Sequence, residues 1–191
     1  TRTVRITGGE WRSRKLKGAG KVSQLRPTPD AMRERAFAVL GDRVRGSRFL
    51  DLWAGTGAVG LEALSRGARS VVFVERHRAA ARLIEENSAT FDLSPDRAEL
   101  IVRPAVAAVK QLTRRGDSFD LAWADPPFED WRHGLEIIVE LFGSGLARDG
   151  CLACLECPGR ADVASVLPQD LCITRDLAGG ASRVVMLEVA R

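Results

Sequence analysis

The sequence predicts an α/β protein: a mostly parallel central sheet of about seven strands with helices on both faces, preceded by a small basic β-hairpin extension. Three observations carry this. From residue 48 onward, short apolar runs alternate with longer stretches of helical periodicity. Runs such as Val71-Val72-Phe73-Val74 are continuously apolar, as expected of a strand buried on both faces. A glycine-rich turn, residues 54–57, closes the first of these strands.

The elements follow in order. Residues 3–17 read as a β-hairpin: Val4 and Ile6 precede Gly8 and Gly9, and Trp11 and Leu16 follow. Arg2, Arg5, Arg12, Arg14, Lys15 and Lys17 stud it. Residues 18–27 show no periodicity. Thr28 can cap a helix, and Pro29 suits the first helical position. Met32, Ala36, Val39 and Leu40 recur at helical spacing until Gly41 ends the run. Strands are then expected over residues 48–53, 70–75, 99–102, 119–124, 151–156, 171–175 and 184–189. Helices are expected from the glycine turn to about residue 66, and over 78–91, 105–115 and 131–142. The natural division is an N-terminal extension, residues 1–27, and a main domain, residues 28–191.

Charge is unevenly spread over the 191 residues. Residues 1–48 carry a net +9 and the remainder −5, within an overall +4. A basic module in front of a mildly acidic body is a surface suited to phosphates, so nucleic acid is the expected partner. The alternative is a solvated arm that only aids solubility. No apolar run approaches the roughly 20 residues of a membrane span. No charged-then-apolar leader opens the chain. A cytoplasmic protein without membrane contact is expected.

Cys151, Cys154 and Cys157 have a spacing that invites a metal. Their setting argues otherwise. They fall in a strand, where Cys151 and Cys154 point to opposite faces. Buried, small and apolar is the expected role for these cysteines, and no metal is expected. His77 and His133 read as surface histidines beside loops.

Three segments carry chemistry, and strand–helix alternation brings their loops to one sheet edge. The first runs from Asp51 through Ala54, Gly55 and Gly57 to Gly60. Glycines allow backbone to approach a ligand closely. Gly55, Gly57 and Gly60 also satisfy a dinucleotide fingerprint, so an NAD-dependent oxidoreductase is an alternative. Asp51 argues for S-adenosylmethionine, because a carboxylate at a strand end suits an ammonium group better than a pyrophosphate. Trp53 stands inside the motif, where it can pack beneath the loop. The second is Glu75, 20 residues past Gly55, which can accept both ribose hydroxyls of a nucleoside.

The third is Asp125-Pro126-Pro127-Phe128, at the end of the fourth sheet strand. Two prolines stiffen the loop and remove two backbone donors, leaving it rich in acceptors. An exocyclic base amine is a poor nucleophile because its lone pair is delocalised into the ring. Asp125 and the Pro126 carbonyl can both accept hydrogen bonds from that amine and aim its lone pair at a methyl donor. Phe128 can stack on an extracted base, and Trp131 can extend that surface.

These motifs resemble the class I methyltransferase superfamily, a Rossmann-like fold, with the motif typical of amino-directed nucleic-acid enzymes. A closer resemblance spans most of the chain. The segment from Arg5 to Leu16, the segment from Leu25 to Asp30 with Arg33 and Glu34, and the segment from Gly60 to Ala68 resemble the RsmD family. That resemblance implies methyl transfer from S-adenosylmethionine to the exocyclic N2 of one guanine of 16S rRNA, within the small ribosomal subunit; a monomer is expected. Asp51, Ala54, Gly55 and Gly57 would hold the methionine part of the cofactor, and Glu75 with Arg76 its ribose. Thr28 would lie near the cofactor's carboxylate. Asp125, Pro126, Pro127 and Phe128 would hold the guanine. Arg5, Arg12, Arg14, Lys15, Lys17, Arg26 and Arg33 would meet RNA. Relatives often carry a polar residue where Pro104 stands, so the backbone of Ala105 would meet the adenine instead. A DNA adenine-N6 methyltransferase and a non-catalytic RNA-binding module on the same fold are the alternatives.

Overall fold

A computed structural model describes residues 4–18 and 28–190. The hairpin is β1 (Val4–Arg5) with β2 (Lys15–Leu16), followed by α1 (Asp30–Leu40). Strands and helices then alternate: β3 (Arg48–Leu52), α2 (Ala58–Ser65), β4 (Ser70–Val74), α3 (Arg78–Ala89), β5 (Ala98–Ile101), α4 (Ala105–Arg115), β6 (Phe119–Ala124), α5 (Trp131–Gly143) and β7 (Ala147–Pro158). β8 (Leu171–Gly179) and β9 (Ser182–Val189) close the chain.

Among the described residues, seven strands form one sheet in the order β5-β4-β3-β6-β7-β9-β8. β3 to β7 are mutually parallel, and β9 inserts antiparallel between β7 and β8. The expected α/β architecture and strand count are therefore present. The last strands run longer than their apolar runs. β8 continues through Arg175 and Asp176 because its pairing with β9 persists where one face meets solvent.

Side-chain alternation splits the core into two apolar clusters, one on each sheet face. Phe49, Val71, Phe73, Leu121, Trp123 and Cys154 face α1 and α2. Leu50, Val72, Ala122, Cys151 and Leu155 face α4 and α5. Cys151 and Cys154 thus sit on opposite faces, as the strand register requires. The hairpin is not a free arm: Val4, Ile6 and Leu16 are buried in the first cluster. Trp11 stacks on Phe91 at 4.2 Å.

Two expectations near α1 need correction. Thr28 does not cap the helix; Pro29 occupies the capping position, and among the described residues no side-chain cap is present. The Thr28 hydroxyl is engaged elsewhere, as described below. Arg33 does not reach RNA phosphates, because it is fully buried. Its guanidinium donates to the carbonyls of Thr28 (2.9 Å) and Arg5 and to Asp30 (3.0 Å), and lies 3.8 Å from buried Glu62. Glu62 in turn accepts from the Thr7 backbone (2.8 Å), the Thr7 hydroxyl (2.7 Å) and Arg66 (2.8 Å). A charge in the wholly buried helix α2 is tolerated because it is this fully paired.

A candidate methyl-transfer site at the switch point of the sheet

The crossovers from β3 proceed outward in one direction through β4 and β5, and in the other through β6 and β7. The reversal lies between β3 and β6, where open α/β sheets bind their ligands. Register aligns the strand ends there: Leu52 pairs with both Val74 and Ala124, and Ala124 pairs with Leu155. The next residues of β4, β6 and β7 are therefore level across the sheet, with β3 between the first two, and all three are acids: Glu75, Asp125 and Glu156.

Strand parity then sets their direction. Phe73, Trp123 and Cys154 all face the first cluster. Residues two positions further on point the same way. Glu75, Asp125 and Glu156 lie two positions on, and Asp51, opposite Phe73 and Trp123, shares that face. Four carboxylates thus converge on one rim. Asp51, Glu75 and Glu156 are buried.

Their surroundings raise the cost of their charges. Burial, opposed by the Gly60 amide and reinforced by Glu75, pushes Asp51 up to about 7. Burial, then Glu156 and Asp51, holds Asp125 well above the usual carboxylate range. Burial also raises Glu156, against the pull of Thr28, Ser182 and Arg33. Such a rim gains most from a cationic ligand, which would restore the ionised forms.

The glycine loop is shaped by these acids. Asp51 Oδ2 accepts from the Gly60 amide at 2.9 Å, and Glu75 Oε2 from the Gly55 amide at 2.9 Å. Glu75 Oε1 accepts from the His77 amide at 2.8 Å. Each carboxylate oxygen has a second lone pair, so Glu75 can still accept two hydroxyls. Gly57 is left-handed (φ 78°) and occupies the capping position just before α2. A Cβ on Gly60 would lie 2.3 Å from the Phe73 ring, so only glycine lets α2 sit this close to β4. Trp53 also takes a left-handed conformation (φ 59°) and meets His133 edge-on at 6.3 Å. Its half-buried ring packs against the second cluster rather than only lying beneath the loop.

Beyond Asp125, Pro126 and Pro127 lead into a short 3-10 turn, Phe128–Asp130, and then α5. Pro126 rests on Gly134 of α5, where a Cβ would meet Pro126 Cγ at 2.5 Å. Phe128 and Trp131 are partly exposed. Ala105 begins α4 and is buried, with Pro104 at its capping position. Arg76 is exposed and its Nε lies 3.1 Å from His77. Arg5, Arg12, Arg14, Lys15 and Lys17 are exposed on the hairpin. Arg5 pairs with Asp30, Lys17 with Glu86, and Arg14 lies over the Phe91 ring. Arg26 lies outside the described residues.

Thr28 and Glu156 are brought into the site by the fold. Thr28 Oγ1 donates to Glu156 Oε2 at 2.7 Å and lies 3.4 Å from Asp125 Oδ2. Glu156 carries no sequence signal beyond ending an apolar strand, as Asp51 and Asp125 also do. Position at a strand end, rather than motif membership, is the clue that could have found it.

A family model described as conserved hypothetical protein 95 matches residues 4–188, from the hairpin to the last strand. Ribosomal RNA small subunit methyltransferase D of Escherichia coli is 37% identical over 155 residues, 80% of this chain and 74% of that protein. This chain belongs to the RsmD family. The Haemophilus influenzae member is 38% identical over 125 residues, which span 65% of this chain and 64% of the relative. In three dimensions, the solved structure of Escherichia coli yhhF superposes with a TM-score of 0.83 at 30% identity, covering 98% of each chain. The RsmD fold therefore accounts for all of the described elements.

Proposed function

We propose that this RsmD-family protein is an enzyme that transfers a methyl group from S-adenosylmethionine to the exocyclic N2 of a guanine in 16S rRNA. The observation that carries the reading is the rim of four acids on one sheet face, continuous with Asp125-Pro126-Pro127-Phe128. S-adenosylmethionine bears a sulfonium and an ammonium against one carboxylate, so its net positive charge fits this rim. Asp51 and the glycine loop would hold the methionine end, Glu75 the ribose, and the start of α4 at Ala105 the adenine. The bound cofactor supplies an electrophilic methyl group. The residues of this chain then serve to position the acceptor. Asp125 and the Pro126 carbonyl accept the two amine hydrogens, and Phe128 stacks on the base.

The exposed cations of the hairpin would grip the rRNA backbone, with the small ribosomal subunit as the substrate particle and one copy of the protein acting in the cytoplasm. Asp-Pro-Pro-Phe supports an amine target, and the small-subunit relatives support rRNA as its carrier. Among the described residues no helix is long and apolar enough to cross a membrane.

The test uses small ribosomal subunits from cells lacking the protein, with methylated nucleosides mapped by mass spectrometry. The parent should methylate one guanine at N2. Asp125→Ala should lose transfer by at least about a hundredfold while S-adenosylmethionine still binds in calorimetry. A parent that binds no cofactor, or an Asp125→Ala protein at full rate, would overturn the reading.

A further inference from the structure

Amine methylation ends with a proton to dispose of, and the loop motif alone does not say where it goes. As the N–C bond forms from the nitrogen lone pair, the S–C bond breaks and its electron pair stays on sulfur. The nitrogen is left cationic with one hydrogen too many. An ordinary carboxylate, ionised down to about pH 4, is a weak acceptor for that proton.

The structure places a second carboxylate where it changes this. β6 and β7 are in register through Ala124 and Leu155, so Asp125 and Glu156 are neighbours with side chains on one face. Thr28 bridges them, at 2.7 Å from Glu156 and 3.4 Å from Asp125. A hydroxyl has one proton, and the shorter contact takes it. A Thr28 proton turned to Asp125 would favour the carboxylate, but with that proton held by Glu156 the Thr28 oxygen offers Asp125 a lone pair, and a protonated Asp125 is favoured instead. The bridge is itself fixed, because buried Arg33 holds the Thr28 carbonyl at 2.9 Å.

We propose that Thr28 and Glu156 are positioning residues of the transfer site, which hold a negative charge and a hydroxyl acceptor against Asp125 so that Asp125 takes the proton the amine loses. The N–H electron pair returns to nitrogen, leaving a neutral secondary amine, and the proton resides on Asp125 as a carboxylic acid bonded to Thr28 Oγ1. This inference rests on the reading of Asp125 as the amine's partner. The charged and titratable groups that bear on the pair are Asp51 of β3, which reinforces Glu156 at Asp125, and Arg33 of α1, which offsets Glu156. β9 contributes the Ser182 hydroxyl.

The experiment is the pH profile of single-turnover methyl transfer on undermethylated small subunits at saturating S-adenosylmethionine. Glu156→Gln and Thr28→Val are near-isosteres whose folding is checked by melting. In both, the acid limb of the profile should move down by at least about one pH unit, and the plateau should fall about tenfold. Thr28→Ser restores the hydroxyl and should bring the limb back to the parent position. A readout independent of turnover is the melting temperature of the free protein, which Glu156→Gln should raise at pH 8 more than at pH 5. An acid limb unmoved in both variants, with cofactor affinity unchanged, would overturn the proposal. If Asp125→Ala had meanwhile abolished transfer, the loss would fall on the role of Thr28 and Glu156 alone. An active Asp125→Ala protein would instead remove the reading on which they rest.

Discussion

Replacing Asp51 by asparagine should make the protein more stable above neutral pH and poorer at holding its cofactor. Asp51 is almost fully buried at the end of β3, and burial pushes its carboxyl from 3.8 up to about 7. Below about pH 4 the group is neutral in both the folded and unfolded chain and has no effect on stability. Between about 4 and 7 the unfolded chain loses the proton first, so stability falls as pH rises. Above about 7 both forms are ionised and the full penalty is present. At about 1.4 kcal/mol for each pH unit, that penalty is roughly 4 kcal/mol. Asparagine keeps an acceptor for the Gly60 amide and carries no charge. Neighbouring Glu75 readjusts, so about half the penalty should be recovered. For a chain of this size that corresponds to a rise in melting temperature of roughly 4–8 °C.

Thermal denaturation of parent and variant at pH 5 and pH 8 measures the effect. The curves should separate fully at pH 8 and lie much closer at pH 5, where only about a third of the penalty is present. Calorimetry should show S-adenosylmethionine bound at least about tenfold more weakly by the variant, since a charge-assisted contact is lost. Parent binding near pH 7 should also release protons, visible as a dependence of the measured heat on the buffer. A variant less stable than the parent at pH 8, or pH dependences that run parallel, would refute the account of Asp51 as a buried charge awaiting a cation.

Two other outcomes follow from contacts of the same rim. Gly134→Ala places a Cβ against Pro126, and the overpacking should cost about 1–3 kcal/mol while displacing the target loop. Methyl transfer should slow by tenfold or more with cofactor affinity unchanged in calorimetry, whereas a normal rate would mean the loop tolerates movement. Arg33→Ala leaves Glu62 with Arg66 as its remaining cation and strips the donor from the Thr28 and Arg5 carbonyls, so about 3 kcal/mol of stability should be lost. Urea denaturation checks this; an unchanged midpoint with weakened RNA binding would return Arg33 to the surface role its charge suggests.

The main lines of the sheet are legible in the sequence because continuous apolar strands and periodic helices leave few alternatives. The three loops are legible because glycine, proline and strand-end acids have local chemistry. What escapes is the part that depends on pairing distant segments. Thr28 resembles a helix cap, since a threonine before Pro29 is a common start. Its partner lies 128 residues away, and no local signal announces it. The charge of Arg33 points to phosphate, and charge does not tell a phosphate-binding arginine from one enclosed between two buried acceptors. Gly134 is unmarked inside a helix, since its value lies in what it leaves room for across the interface.

The hairpin's two-residue periodicity separates two kinds of mutational freedom. Val4 and Leu16 turn inward to the core, while Arg5 and Lys15 turn outward. Inward positions are tied to every helix and strand they touch, and a change there is felt across the whole domain. Outward positions touch little, so their charges can be gained, lost or rearranged one at a time. A lineage could thus retune its grip on a ribosomal surface by drifting along one edge of a short ladder, while the acids at the sheet rim stay fixed.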